Sequence, residues 1–248
     1  MYKIFLIILY LFCSSLSYAE TGIDRSEIYR FSKKDKYFPT LIKQYQSLKF
    51  LWEDFDTYDR NVWGDNQSGA IEIITSHVGR TDHVSNLATF NGAARLTSGQ
   101  MIWLLDRLNY GQVEFRWIKL GPPEVGTDKF IGFGDPNEGY CSGFRMFDNG
   151  KGVKLHAFVM NQGHFFVKEI PWESSFEHAR FIIDWDKTFS NFIIITPFSS
   201  RNVAKISNTE FKGKVPATPK IRMEISVQNF SGKTPIDVEL IKYDSYGF

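Results

Sequence analysis

The residues of this 248-residue chain that could do covalent or metal chemistry are scattered, and most sit in contexts that argue against it. Glu169 and Glu173 are four apart, but Pro171 between them breaks any helix or central strand that would align them, which leaves a solvated loop. Asp135 and Glu138 flank Pro136-Asn137 in a run with the composition of a tight turn. The histidines His77, His83, His156, His164 and His178 show no short zinc-type spacing. His156 and His164 are expected to face each other across a hairpin at 161–163, as a surface pair. Cys141-Ser142 lies in Gly139-Tyr-Cys-Ser-Gly143, which is not a Gly-x-Ser-x-Gly nucleophile elbow, so a buried or edge thiol is expected. Glu53, Asp54, Asp56 and Asp59 form an acidic run. Calcium needs six to eight oxygens, and alternating acids on a strand point to opposite faces. No cofactor is therefore expected, with a structural calcium held by this run as the one alternative.

A second kind of chemistry, recognition by flat rings and planar polar groups, has better candidates. Trp103, Tyr110, Trp172 and Trp185 are the obvious rings. The period of two along a strand puts Glu114 and Arg116 together, opposite Val113 and Phe115. By the same parity Arg145 opposes Phe144, and His156 opposes Leu155. If the apolar residues face a core, then Trp103, Glu114, Arg116, Arg145 and His156 are the candidate carbohydrate-binding set, the last four lining one concave polar face.

The elements that would position them are strands. Alternating or β-rich runs occur at 70–75, 93–97, 101–105, 110–120, 129–134, 152–159, 164–167, 180–185, 191–195, 220–228 and 236–243, punctuated by Gly, Asn and Asp turns. Short strands at this spacing, with no long amphipathic helix and no internal repeat, argue for an all-β sandwich or barrel. Composition agrees: hydrophobic residues are 43%, charged residues 23%, and the 16% aromatic content suits strands. The formal net charge of +1 offers nucleic acid no basic surface.

Residues 1–19 have Lys3 before the apolar run Ile4–Phe12 and Ser17 and Ala19 at the end, the pattern of a cleaved signal peptide. The apolar run is far too short to span a bilayer, so no membrane insertion is expected after cleavage. Cys13 would leave with it, and Cys141 alone gives no internal disulfide.

Four segments resemble the laminarinase-type glycoside hydrolases. These are Asp54-Phe-Asp-Thr-Tyr-Asp-Arg-Asn-Val-Trp63, Tyr110-Gly-Gln-Val-Glu-Phe-Arg-Trp-Ile-Lys119, Arg180-Phe-Ile-Ile-Asp-Trp185 and Val238-Glu-Leu-Ile-Lys-Tyr243. Their order and spacing hold over residues 50–243. The resemblance implies the concanavalin A-like lectin/glucanase superfamily: a jelly roll of two curved antiparallel sheets, the concave one forming a carbohydrate groove. It also implies Glu-x-Asp-x-x-Glu on the strand after the Tyr-Gly strand, since one carboxylate attacks the anomeric carbon while another protonates the leaving oxygen. Here that region reads Phe130-Ile-Gly-Phe-Gly-Asp-Pro-Asn-Glu-Gly-Tyr-Cys-Ser-Gly-Phe-Arg145, and its only acids, Asp135 and Glu138, flank a turn and do not share one strand face.

The expectation is an all-β, concanavalin A-like β-sandwich at 47–248, after a signal peptide at 1–19 and an irregular lead-in at 20–46. It is expected to be a secreted or periplasmic monomer that binds a polysaccharide or glycoconjugate on its concave sheet, with no catalytic residues. A diverged glycoside hydrolase or polysaccharide lyase is the enzymatic alternative, with His156 or a Tyr beside Arg116 serving a lyase. A structural module of the envelope or extracellular matrix is the third.

Overall fold

A computed structural model describes residues 50–55, 58–66, 71–74, 92–196, 198–211 and 213–246. The expected signal peptide and lead-in, with His77, His83 and Asp56, lie outside the described residues. Strand is the dominant element, and every strand pair is antiparallel. One six-stranded sheet has the order β1 (Phe50–Glu53), β16 (Leu240–Ser245), β6 (Gly111–Ile118), β11 (Ala179–Trp185), β12 (Phe189–Thr196) and β13 (Ser199–Ser207). A seven-stranded sheet has the order β10 (His164–Ile170), β9 (Val153–Asn161), β8 (Tyr140–Asp148), β7 (Asp128–Asp135), β14 (Ile225–Ser231), β5 (Gln100–Leu104) and β2 (Trp63–Asp65). A small third sheet joins β15 (Ile236–Val238), β4 (Ala93–Leu96) and β3 (Glu72–Ile74).

The two large sheets pack face to face through alternate residues. On β12 the burial pattern switches at every position, sending Phe192 and Ile194 inward. Phe144 of the seven-stranded sheet meets Phe181 and Phe192 of the other edge-on, at 5.0 and 5.3 Å. Phe133 meets Trp185 at 5.0 Å with the rings tilted. A buried Ser142–Ser190 hydroxyl pair, 2.8 Å apart, also crosses between the sheets. These contacts define a sandwich with one large core, filled by aromatic and branched side chains.

The seven-stranded sheet carries a second cluster on its outward face. Phe130, Cys141 and Phe158 are buried there beneath Phe147, Met160, Val167 and Phe230. Gly132 and Gly143 are paired across β7 and β8. A Cβ on Gly143 would lie 2.6 Å from the Phe130 ring, and one on Gly132 only 2.5 Å from the Gly143 backbone. The two glycines make the shelf on which that ring lies.

Two expectations change. β13 was not anticipated, because Ser199-Ser-Arg-Asn-Val-Ala-Lys-Ile-Ser207 is polar enough to read as loop. His156 pairs with Glu169 and His164 with Asn161, so the two histidines do not face each other across the β9–β10 hairpin.

Candidate functional site

The five candidate residues divide between opposite outsides of the sandwich. Val113 and Phe115 of β6 lie in the core, so Glu114 and Arg116 point outward from the six-stranded sheet. Phe144, Met146, Leu155 and Ala157 also lie in the core, so Arg145 and His156 point outward from the seven-stranded sheet. The expectation of one polar face shared by Glu114, Arg116, Arg145 and His156 is therefore incorrect. Parity fixes which way a side chain points from its own sheet, but not which sheet the strand joins.

Each of these four side chains is also engaged. Glu114 accepts from Arg116 Nε at 2.8 Å and binds Arg180 on the neighbouring strand, while Arg116 lies over the Trp52 ring. Burial works against the Glu114 charge, but the two guanidiniums outweigh it and hold its carboxyl below the usual range. Arg145 grips Asp128 with two hydrogen bonds of 2.9 Å, and its guanidinium packs over Phe147, Phe158 and Phe230. His156 is fully buried against Phe147, with Nε2 3.2 Å from the Asn149 amide. Its burial lowers its pKa and favours the neutral ring. Arg145 and His156 bind the outward aromatic cluster together.

Among the rings, Trp185 belongs to the core with Tyr110 edge-on against it, and Trp172 packs on Phe176. Trp103 is different. It stands on β5 opposite Ile102 and Leu104, half-buried, on the outward face of the seven-stranded sheet. Its indole lies across β2, where a Cβ on Gly64 would approach the ring to 2.6 Å. Only glycine leaves that ring flat on the backbone.

Trp103 walls a cleft of ≈ 420 Å³ whose other lining includes Met101, Leu105, Arg107, Asp135, Glu138, Glu224 and Gln228. Three pieces of chain build it. The bridge between Leu108 and Met223 sets Arg107 beside Glu224. Asp135 ends β7 and caps the short turn Pro136–Glu138 by accepting from the Asn137 amide at 2.8 Å, which places Glu138 on the rim. Gln228 and Trp103 rise from β14 and β5, two adjacent strands.

The electrostatics of the cleft are uneven. Arg107 lies 3.6 Å from both Glu138 and Glu224 and is the one cation against three carboxylates in the lining. The Glu224 side chain is 13% exposed. Its burial raises its pKa, its own backbone amide and Arg107 pull it back, and Glu138 and Asp135 add to the rise. The net direction is upward. Gln228 is fully buried, and its Nε2 donates to Ser226 Oγ at 3.1 Å. Ser226 in turn donates to the Gly134 carbonyl at 2.6 Å. That relay fixes the amide orientation, and Gln228 Oε1 has no hydrogen-bond partner among the described residues.

Sequence reasoning found Trp103, and saw Asp135 and Glu138 only as turn residues. It missed Arg107, Glu224 and Gln228, which carry no motif and meet only through the Leu108–Met223 bridge and the β5–β14 pairing. The acidic run also has work other than metal binding. Glu53 accepts from Trp63 Nε1 at 2.9 Å and from the Phe55 amide at 3.1 Å, and Asp59 accepts from Asn61. Among the described residues no group of three or more His, Cys, Asp or Glu could hold a metal ion.

No protein-family model matches this chain, and no curated protein matches it. Solved structures do. A glycosyl hydrolase family protein from Mycobacterium fortuitum is 14% identical, with a TM-score of 0.53 over 78% of this chain and 98% of that one. An uncharacterized protein from Mycobacterium paratuberculosis is 12% identical, with a TM-score of 0.54 over 78% and 99%. A glycoside hydrolase family protein from Mycobacterium thermorestibile is 11% identical, with a TM-score of 0.51 over 78% and 99%. The fold is the concanavalin A-like jelly roll. At these identities the likeness is one of fold. The outward positions of β7 are Asp128, Phe130, Gly132 and Gly134, the alternates of core Ile131 and Phe133, and those of β8 are Cys141, Gly143, Arg145 and Phe147, so the one carboxylate on this part of the face is Asp128, held by Arg145.

Proposed function

We propose that this is an exported, monomeric protein that binds a polysaccharide or glycoconjugate without hydrolysing it, using the Trp103 cleft. The observation that carries the reading is the outward face of β7. Its one carboxylate, Asp128, is tied to Arg145 by two hydrogen bonds, and a ring and two glycines follow it along the strand, so no second carboxylate stands there to pair with it. Binding has what it needs nearby: an indole face for the apolar side of a sugar ring, and carboxylates, an amide and a guanidinium for its hydroxyls. Export is supported by the Lys3, apolar-run and Ser-x-Ala pattern of residues 1–19.

The test is capture of purified residues 20–248 on insoluble polysaccharides, with reducing ends and unsaturated products assayed on every polymer that binds. Capture without product is expected, and Trp103→Ala should lose it while remaining folded. Released product would overturn the reading. One observation favours a second reading, a diverged hydrolase: Glu224 holds its proton to higher pH than an ordinary glutamate, as a general acid must, with Glu138 and Asp135 in the same cleft. That reading requires product release that disappears in Glu224→Gln.

A further inference from the structure

The charge and hydrogen-bonding character of the Trp103 cleft select among saccharides, and we infer that its ligand is an amine-bearing one, a glycan with free amino sugars. This rests on the glycan-binding reading above and narrows it. The cleft is an acceptor surface. Asp135, Glu138 and Glu224 contribute carboxylates, and Arg107, which is shared between two of them, leaves the lining with a net negative charge. A ligand that carries no positive charge would have to enter while leaving that repulsion in place.

Gln228 points the same way by an independent route. It lies on a rigid strand, is fully buried and lines the cleft. Its amide nitrogen gives one N–H to the Ser226–Gly134 relay, which fixes the amide, and its Oε1 is a buried acceptor that the described residues do not satisfy. A buried acceptor without a donor is costly, and a ligand N–H or O–H removes the cost. Trp103 supplies the remaining recognition. An indole takes the apolar face of a pyranose and also attracts an ammonium group through its ring electrons. Carboxylates, a fixed acceptor and an indole around one cleft suit an ammonium group attached to a sugar ring. A neutral glycan would leave the net negative charge unmatched, and a uronate would add to it.

The test is calorimetric titration of the full exported chain with a β-linked glucosamine oligomer, its N-acetylated counterpart and a glucose oligomer of equal length, with spermine as a cation that is not a sugar. The glucosamine oligomer should bind at least about tenfold more tightly than the other two sugars, the scale of one well-placed charge interaction. Added salt should narrow the gap. Glu138→Gln, at a rim position 60% exposed and therefore safe for folding, should weaken the glucosamine oligomer more than the glucose oligomer. Trp103→Ala should weaken all three sugars. Equal affinity for the three sugars, or a preference for the acetylated or neutral oligomer, overturns the amine assignment and leaves the glycan reading standing. Spermine binding as tightly as the glucosamine oligomer, and unchanged in Trp103→Ala, also overturns it, since the cleft would then be a cation site only. If no sugar binds, both the assignment and the glycan reading fall.

Discussion

Glu224 shows how one side chain in a cleft becomes a measurable property of the whole protein. Its carboxyl holds a proton to higher pH in the folded state than in the unfolded chain, chiefly because it is buried. Between the ordinary glutamate value and that raised value, the native state binds more protons than the unfolded state. Stability therefore falls as pH rises through this window, and the loss persists above it. Glu224→Gln should remove the loss. The variant is expected to be more stable than the parent at neutral pH, with the difference vanishing below the ordinary carboxylate range, as read from urea midpoints at matched pH values. A variant less stable than the parent at neutral pH would show that the Arg107 contact outweighs burial. Glu114 has the opposite sign, because its two arginines hold its carboxyl down and the stability they contribute is lost only as the solution becomes acid.

At the scale of elements, the outward face of the seven-stranded sheet has two halves with different jobs. The β7–β8–β9–β10 half is packed shut by rings around Arg145, and the β5–β14 half is open at Trp103. Phe130 is central to the closed half. Phe130→Ala should cost about 3–5 kcal/mol, the usual range for emptying a buried phenylalanine site, because the backbone shelf of Gly132 and Gly143 cannot collapse inward. The urea unfolding midpoint measures it, and a cost under about 1 kcal/mol would mean that the cluster does not hold the sheet. This division was only partly legible in the sequence. Alternating strands such as β6, β9 and β11 were plain, because one face is buried in a large core and the other is not. The sheet to which each strand belongs was not legible, since it depends on long-range pairing. That is why Glu114 and Arg116 were grouped with residues on the far side of the molecule. Trp103 could be found as a ring on a strand, whereas Arg107 and Glu224 are loop residues made neighbours by a single bridge between Leu108 and Met223.

At the scale of the whole molecule, stability rests on packing alone, for residues 20–248 contain one cysteine. Cys141 is fully buried in the outward cluster, and that burial pushes its thiol well above the ordinary range. A thiol reagent should therefore label the native protein only as fast as the seven-stranded sheet opens. Labelling should accelerate in step with the urea transition seen by tryptophan fluorescence. Rapid labelling under native conditions would show that β7 and β8 separate without global unfolding. The jelly roll would then be two cooperative units rather than one.

The polarity that hid β13 has a consequence for solubility. β13 is the outer strand of its sheet, with Arg201, Asn202 and Lys205 turned to solvent. An outer strand leaves a row of backbone donors and acceptors on which another copy could add itself, and charged side chains there make such stacking costly. Lys168 of β10 also reaches Glu210, just beyond β13, at 2.5 Å, while Phe166 meets Phe211, so the border strands of the two large sheets are fastened to each other along that flank. A β13 with valines in place of its polar residues would be easier to recognise as a strand, and it would also make the folded protein prone to grow into filaments.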